Sequence, residues 1–484
     1  MTDHDGRRVI TRRDFTAMLA GSTVVAGAGI AWPRGVQAHG AASHDAHAAP
    51  SSGTYTFARP RPTPAQLAWQ RDEFALFLHF GVNTFTDREW GDGTESPAIF
   101  NPAALDARQW ARVARDAGAR CVILTAKHHD GFCLWPTKTT SHSVARSPFR
   151  GGAGDVVREC VAAARAEGLR VGLYCSPWDR NAPAYGDSPR YNDLYIAQLT
   201  ELLTQYGDIA EVWFDGANGE GPNGRRQVYD WPRIWGTVRR LQSRAVMFSD
   251  AGPDVRWIGN EVGSAGDPNW STVDPAIVTA PGVDGPEIIR SLQHGDRDGS
   301  VWRPGETDVS IRPGWFYHAA EDARVKSVDA LMQIWFSSVG RNSKLLLNVP
   351  PNRDGVIADA DAQRLREFRA ARDVLFSREC TPPRWRWRSL PGPGLEGGAA
   401  LPAPAALAVV RLAEPIEYGQ RIARYRVEGD RGDGTWIPLA AGQTIGHCKL
   451  DRVDATATVT RVRVIVDEAV ATPLPIAVRL FAAT

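Results

Sequence analysis

Two carboxylates follow short apolar segments that are typical of buried strands. Asp215 comes directly after residues 212–214 (VWF), and Glu261 follows residues 256–260 (RWIGN). A carboxylate at the carboxyl end of a strand is reachable by substrate and can attack an electrophilic carbon. Apolar neighbours raise the pKa of a carboxyl group, which suits Glu261 to general acid chemistry. The simpler alternatives are a helix cap or turn for Asp215 and a surface salt bridge for Glu261.

Histidines stand at two other strand ends. His79 follows one strand-like run, and the pair His128-His129 follows the next. Imidazoles in such places hydrogen-bond substrate hydroxyls or fill the mouth of a barrel. A metal-dependent hydrolase using His128, His129 and Asp130 is an alternative, although the H-x-H and H-E-x-x-H spacings are absent. We therefore expect neither a metal nor another cofactor.

Aromatic residues are abundant, with 17 Trp in the chain. Their rings pack in cores and also stack on sugar rings. The sequence has no G-x-S-x-G, P-loop or C-x-x-C motif, which removes the usual esterase, NTPase and redox classes. Two carboxylates, several histidines and many Trp residues at one mouth are the ingredients of glycoside hydrolysis. A non-catalytic carbohydrate-binding barrel remains the alternative.

The elements that position these residues alternate regularly between about residues 59 and 378. Amphipathic helical stretches separate apolar runs, which indicates a parallel sheet covered on both faces. Eight such units predict a (β/α)₈-type catalytic barrel, in which reactive groups lie where strands end. An open doubly wound sheet is the alternative, but no G-x-G-x-x-G follows the first strand. The predicted strands are 75–80, 120–125, 170–174, 209–214, 245–249, 257–259, 314–317 and 345–349.

A change of composition follows the predicted barrel. Residues 379–404 are rich in Pro, Gly and Ala and predict a linker. Residues 405–484 contain alternating apolar and polar runs, which predict a small C-terminal antiparallel β-sandwich. The sequence thus predicts an α/β barrel followed by a second, all-β domain.

The N-terminal region is predicted to be a targeting segment. Residues 1–38 contain Arg12-Arg13, an apolar stretch of small residues and an A-x-A-like ending at Ala38, which is typical of a Tat-type signal peptide. We expect export to the periplasm or the exterior. The stretch is too short and too weakly apolar for a confident membrane span, so no stable membrane anchor is expected. Residues 39–58 predict a disordered spacer.

Charge narrows the partners. The chain has 56 Lys and Arg against 55 Asp and Glu, and it has no basic run. Nucleic-acid binders carry a clustered positive charge, so no nucleic-acid partner is expected. Nothing in the sequence predicts the oligomeric state.

These motifs together resemble the α-L-fucosidases of glycoside hydrolase family 29. The matching segments are 77–81, Glu89-Trp90, 127–135 (KHHDGFCLW), 172–174 and 211–219 (EVWFDGANG). Residues 176–181 and 310–316 look like the subgroup that prefers α-1,3/4-linked fucose on branched oligosaccharides. The resemblance implies a retaining exo-α-L-fucosidase that acts on a fucosylated oligosaccharide.

The resemblance also implies roles for individual residues. Asp215 matches the family's nucleophile, and Glu261 lies in a segment similar to the subgroup's R-W-x-G-N-E acid/base segment. Retention requires their carboxyl groups to be about 5–5.5 Å apart. Glu306 is the alternative acid/base, or else lines the aglycone site. The implied substrate-binding residues are His79, Glu89, Trp90, His128, His129, Tyr174, Trp213, Trp315 and Glu306.

Overall fold

The computed structural model describes residues 59–392, 394–454 and 457–483. The predicted signal peptide at 1–38 and the predicted spacer at 39–58 lie outside these residues. Within the part of the chain that the structure describes, no helix is both long enough and apolar enough to cross a membrane.

Eight of the first ten strands form a closed parallel barrel. In chain order the ten are β1 (Phe74–Leu78), β2 (Cys121–Lys127), β3 (Arg170–Cys175), β4 (Glu211–Trp213), β5 (Val246–Ser249), β6 (Val255–Trp257), β7 (Thr272–Val273), β8 (Val301–Trp302), β9 (Gly305–Ser310) and β10 (Ser343–Asn348). The order around the barrel is β1-β10-β9-β6-β5-β4-β3-β2, and β7 and β8 form a separate antiparallel ribbon. The predicted (β/α)₈-type barrel is confirmed.

Helices surround the barrel. They are α1 (Pro64–Asp72), α2 (Val82–Thr86), α3 (Ala107–Ala117), α4 (Val156–Ala166), α5 (Ser188–Gln205), α6 (Trp231–Leu241), α7 (Pro286–His294), α8 (Val328–Ser337) and α9 (Asp359–Leu375). Asp106, Asp155 and Asp230 begin α3, α4 and α6, where each side chain accepts a hydrogen bond from a backbone N–H of the first turn. Such caps satisfy N–H groups that a helix leaves free, and they fix where each helix starts.

The strand predicted at 314–317 is wrong. The seventh strand of the barrel is β9, whose sequence GETDVS carries four polar residues. Glu306 and Asp308 accept hydrogen bonds from the indoles of Trp213 and Trp257, so their polar side chains are satisfied although they are buried. Hydropathy alone cannot recognise such a strand, because it counts these residues as exposed.

The end of the barrel opposite the carboxyl ends of the strands is filled. Trp69 of α1 donates from Nε1 to Glu211 Oε2 at 2.8 Å, and Lys344 Nζ lies 2.8 Å from the same oxygen. All three side chains are at most 2% exposed. Burying this ion pair is tolerable because the carboxylate also accepts the indole proton. Substrate can therefore enter only from the other end.

Two antiparallel sheets follow the barrel. Their strands are β11 (Arg386–Ser389), β12 (Leu395–Ala405), β13 (Leu407–Ala413), β14 (Ile422–Asp430), β15 (Trp436–Gln443), β16 (Lys449–Arg452), β17 (Val459–Ala469) and β18 (Ala477–Ala482). The sheet orders are β11-β12-β17-β14-β15 and β16-β13-β18. Side chains of both sheets share one apolar core, including Val410, Val427 and Val464. The predicted C-terminal β-sandwich is confirmed.

The linker predicted at 379–404 is corrected by the structure. Strand β11 and most of β12 lie within it, and β12 pairs with β17 in the larger sheet. Glycine and alanine are frequent there because the strand packs closely: a Cβ on Gly397 would lie 2.5 Å from the Trp387 ring. Composition was misleading because small residues serve close packing as well as loops.

Candidate active site

Asp215 lies at the open end of the barrel, two residues after β4. Its Oδ1 accepts from the backbone N–H of Ala217 at 2.8 Å, and its Oδ2 accepts from the Tyr174 hydroxyl at 3.1 Å. The residue is 5% exposed. Both oxygens are thus held in one orientation, and hydrogen bonds to a carboxylate favour its charged form. The site therefore offers an immobilised anionic nucleophile.

His129 lies beside this carboxylate. Its Nε2 is 3.9 Å from Asp215 Oδ2, and its Nδ1 is 2.8 Å from Ser176 Oγ. The Ser176 hydroxyl donates its proton to the Trp178 carbonyl at 2.7 Å, so it accepts from the imidazole. Nδ1 of His129 therefore carries a proton, and Nε2 faces the nucleophile.

His79 is oriented in the same way by a different residue. The Asn348 amide nitrogen donates to Ser310 Oγ and to the Trp315 carbonyl, so its oxygen, 2.8 Å from His79 Nδ1, accepts from the ring. His128 has the opposite arrangement, because its Nδ1 lies 3.4 Å from the amide nitrogen of Asn83. Neutral His79 thus presents an acceptor at Nε2, and neutral His128 presents a donor.

Aromatic rings surround the three histidines. Trp315 lies 5.1 Å from the His79 ring, Phe316 lies 5.0 Å from His128, and Trp90 lies 5.5 Å from His129, measured between centroids. Trp90 also meets Trp178 edge to face at 5.5 Å. Apolar faces beside polar imidazoles suit a sugar, which has both hydroxyl groups and C–H faces.

Glu261 is half-buried in the loop that follows β6. Its Oε2 accepts from the Trp315 indole Nε1 at 3.2 Å. Glu89, from the loop after α2, accepts from the backbone N–H of Trp315 at 2.7 Å and of Phe316 at 3.2 Å. The strand-end carboxylate and the loop carboxylate therefore meet through the same tryptophan, although the sequence separates them by more than 170 positions.

Comparison with known proteins identifies this arrangement. The family model for α-L-fucosidase matches residues 89–370, more than half of the chain. The chain is 44% identical to α-L-fucosidase 1 of Arabidopsis thaliana over 86% of both proteins.

The chain belongs to the glycoside hydrolase family 29 α-L-fucosidases.

Solved structures agree with this assignment. A glycoside hydrolase 29 family member from an unknown rumen bacterium is 40% identical, with a TM-score of 0.80 over 88% of this chain and 78% of that one. A Ruminococcus gnavus GH29 fucosidase in complex with fucose is 30% identical, with a TM-score of 0.78 over 90% of this chain and 97% of that one. The protein is therefore an enzyme of the glycoside hydrolase class, and the alternative of a non-catalytic barrel is set aside.

Glu306 is not placed to touch substrate in this enzyme. It is 0% exposed, accepts from Trp213 Nε1 at 3.0 Å and lies 3.5 Å from Lys344 Nζ. Burial and the nearby Glu211 raise the pKa of Glu306 well above its ordinary value. Since β9 points this residue into the closed barrel, its predicted roles as substrate ligand and alternative acid/base are corrected.

Trp213 also has a different place from the predicted one. It is 0% exposed and stacks on Phe248 with a centroid distance of 4.1 Å. Residues alternate along β4, so Glu211 and Trp213 face the barrel interior while Asp215 lies beyond the end of the strand. Trp213 packs 5.3 Å from the Tyr174 ring and supports it from within the barrel.

The metal-dependent alternative lacks a set of ligands. Among residues 59–392, 394–454 and 457–483, no three His, Cys, Asp or Glu side chains are arranged to hold a metal ion. Asp130 is buried, and its Oδ1 accepts from the backbone N–H of Phe132 at 2.7 Å. Burial raises the pKa of Asp130 to about 7. Its other oxygen is 3.9 Å from His128 Nδ1, while His129 is turned towards Ser176.

Several residues of the site were missed by the sequence analysis. Asp250 follows β5 directly, and its Oδ2 accepts from the Gly282 N–H at 2.9 Å. A Cβ on Gly216 would lie 2.3 Å from that oxygen, so Asp250 borders the Asp215 turn. The rule that polar residues at strand ends form the site could have found it. The histidine partners Ser176 and Asn348 carry no comparable signal in the sequence.

We expect Ser176→Ala to lower kcat/KM for an aryl α-L-fucoside by about tenfold. The change removes the acceptor that keeps the proton on Nδ1 of His129, and a hydrogen bond of this kind contributes about 1 kcal/mol or somewhat more. Steady-state kinetics would measure the loss. Ser176→Thr, which keeps the hydroxyl, serves as the control, and an unchanged kcat/KM in the alanine variant would contradict the role.

Proposed function

We propose that this enzyme is a retaining exo-α-L-fucosidase that releases terminal α-1,3- or α-1,4-linked L-fucose from branched oligosaccharides or glycoconjugates. The observation that carries the proposal is the carboxylate of Asp215, held by Tyr174 and Ala217 at the end of β4. An immobilised carboxylate at a barrel mouth is the group that forms the covalent intermediate in retaining glycosidases.

The proposed reaction has two displacements. Asp215 attacks the anomeric carbon of fucose, the bond from that carbon to the glycosidic oxygen breaks, and Glu261 donates a proton to the departing oxygen. The product of this step is a fucosyl ester of Asp215. Water then attacks the same carbon, Glu261 takes a proton from the water, and the carboxylate of Asp215 departs. Two inversions leave the configuration of fucose unchanged.

Recognition of fucose is assigned to the groups around the mouth. His79 and His129 direct Nε2 towards the mouth, and the alternation of acceptors and donors among the three histidines fits a sugar with several hydroxyl groups. Trp315 and Phe316 supply an apolar surface for the C5 methyl group. The near balance of charge in the chain suits a neutral substrate.

Two loops support the linkage preference. Residues 176–181 and 310–316, which resemble the α-1,3/4 subgroup, both border the mouth. Trp178 lies 5.0 Å from the His129 ring, and Arg180 donates to the Gly91 carbonyl at 2.6 Å. A mouth bordered by two rigid loops selects the shape of the leaving group as well as fucose itself.

A panel of substrates tests the linkage preference. Purified enzyme is incubated with Lewis-type trisaccharides, 2'-fucosyllactose and an aryl α-L-fucoside, and released fucose is quantified. We expect release mainly from the branched trisaccharides, whereas preference for the aryl fucoside would contradict the subgroup assignment. Proton NMR during the first minutes distinguishes the stereochemistry, because a retaining enzyme releases α-L-fucose before mutarotation.

We also propose that the chain is exported through its twin-arginine segment. The support is the sequence Arg12-Arg13 followed by small apolar residues. Replacing both arginines by lysine should leave uncleaved enzyme in the cytoplasm, and unchanged export of that variant would contradict the proposal.

A further inference from the structure

The loop that follows β9 carries the tryptophan that contacts Glu261. We call residues 311–318 the Trp315 loop. No helix or strand is formed by these residues. Trp315 nevertheless reaches Glu261 Oε2 at 3.2 Å and lies 5.1 Å from the His79 ring. Because the loop lacks internal hydrogen-bond order, its position depends on contacts from other elements.

Two neighbouring elements hold the backbone around Trp315. Asn348, the last residue of β10, donates to the Trp315 carbonyl at 2.8 Å. Glu89 accepts from the two successive N–H groups of Trp315 and Phe316, one on each oxygen. A carboxylate that accepts two backbone protons orients the peptide plane as well as its distance. The loop is therefore fastened at its centre by Glu89.

His318 joins Glu89 to a second carboxylate. Its Nε2 lies 2.7 Å from Glu89 Oε1, and its Nδ1 lies 2.8 Å from Asp87 Oδ1. Ionised carboxylates only accept hydrogen bonds, so both ring nitrogens must donate and the ring is an imidazolium. We call Asp87, Glu89 and His318 the clamp. It connects the loop after α2 with the Trp315 loop across the mouth.

The surroundings favour the charged form of His318. Burial opposes the charge, but the hydrogen bonds and charges of Asp87 and Glu89 outweigh it and raise the pKa of His318 above its ordinary value. On the loop's own side, the Arg312 guanidinium donates to the His318 carbonyl at 3.4 Å, and Glu321 accepts from a backbone N–H of the loop at 3.3 Å. The ring is 15% exposed, so it exchanges protons with solvent.

We propose that His318 is a positioning residue of this enzyme, which as an imidazolium holds the Trp315 loop against the mouth and thereby holds the Trp315 indole on Glu261. The proposal rests in part on the role proposed above for Glu261. Neutral His318 has a single N–H, so one carboxylate of the clamp then faces a nitrogen lone pair. Loss of the proton therefore releases one side of the clamp, and the aromatic surface beside His79 is no longer fixed.

The sign of the pH dependence follows from this geometry. The folded pKa of His318 is raised, so the clamp is intact at low pH and is lost as the pH rises through that pKa. We expect kcat/KM to fall on the alkaline side, mainly through a higher KM, because the loop borders the bound sugar. This fall adds to any alkaline loss caused by deprotonation of Glu261.

The test uses α-L-fucosyl fluoride, from which fluoride departs with little help from an acid, so the protonation of Glu261 does not limit kcat/KM. In the wild-type enzyme we expect an alkaline fall with this substrate. His318→Gln keeps a donor but does not titrate in this range. We expect it to lose the alkaline fall and to show kcat/KM about tenfold lower at neutral pH, as for one charged hydrogen bond.

Two controls keep the outcomes separate. Glu321→Gln changes a carboxylate that contacts the same loop outside the clamp, and it should keep the wild-type profile. Glu261→Gln should keep the alkaline fall with the fluoride while losing activity on a poor leaving group. An alkaline fall that is absent in the wild type, or unchanged in His318→Gln, would overturn the clamp. Normal activity of Glu261→Gln on a poor leaving group would overturn the acid/base assignment instead.

Discussion

Asp215→Ala is expected to lower the turnover of an aryl α-L-fucoside by about 10⁴-fold or more, while the fold is retained. The change removes the atom that is proposed to bond to the anomeric carbon, and no other group can take its place along the same line of attack. The lost contacts are two hydrogen bonds, to Tyr174 and to Ala217. Circular dichroism and the melting temperature would show that the barrel is intact.

Azide provides a second measurement on this variant. The space left by the carboxylate admits a small anion, which can attack the anomeric carbon once and so invert it. We expect Asp215→Ala with azide and an activated aryl fucoside to form β-L-fucosyl azide, identified by NMR. Formation of the α-azide, or hydrolysis at nearly the wild-type rate, would show that Asp215 is not the nucleophile.

Glu306→Gln is the matched control for a buried carboxyl of the same barrel. The pKa of Glu306 is raised well above its ordinary value, so the native group is protonated and close to glutamine in shape and charge. We expect its kcat/KM to stay within a few-fold of wild type. The contrast separates a carboxylate that reacts from one that only fills the barrel.

Glu261→Ala is expected to lower hydrolysis of unactivated α-L-fucosides by about 10²- to 10⁴-fold. The departing oxygen of a natural glycan needs a proton, whereas an activated aryl group does not, so the loss should grow with the pKa of the leaving group. Azide should rescue turnover of the activated substrate. The expected product is α-L-fucosyl azide, because azide would attack the fucosyl ester of Asp215 and complete a second inversion.

The opposing outcome is specific. If azide rescues Glu306→Ala and not Glu261→Ala, the acid/base role passes to Glu306. The structure argues against this result, since Glu306 is 0% exposed and bonded to Trp213. Glu261 is only half-buried and lies in the loop after β6, where its carboxyl meets Trp315.

Much of the fold was predictable because its signals are local. Alternating apolar runs and amphipathic helices predict a parallel barrel, and a parallel barrel brings the ends of all its strands to one side. Residues that directly follow strands, such as His79, His129 and Asp215, therefore meet in space without any long-range information. Asp250 meets the same rule and was overlooked.

Other parts depend on contacts that the sequence does not record. Strand β9 is polar because its side chains pair with indoles of β4 and β6, and such pairing is visible only after the barrel has closed. Strands β11 and β12 were mistaken for a linker because their glycines serve packing against Trp387. Patterns of hydropathy describe exposure in an average protein, and these strands depart from that average.

The chemistry of this protein is written in residue types at strand ends: a carboxylate after VWF, two adjacent histidines and a tryptophan-rich surround. Which of those residues can act is decided by closure of the barrel. Alternation along a strand turns Trp213 and Glu306 inward and leaves Asp215 at the mouth, since successive side chains of a strand point to opposite faces. The protons of His79 and His129 are likewise set by Asn348 and Ser176, because a hydrogen bond needs its partner within about 3 Å whatever their distance in sequence.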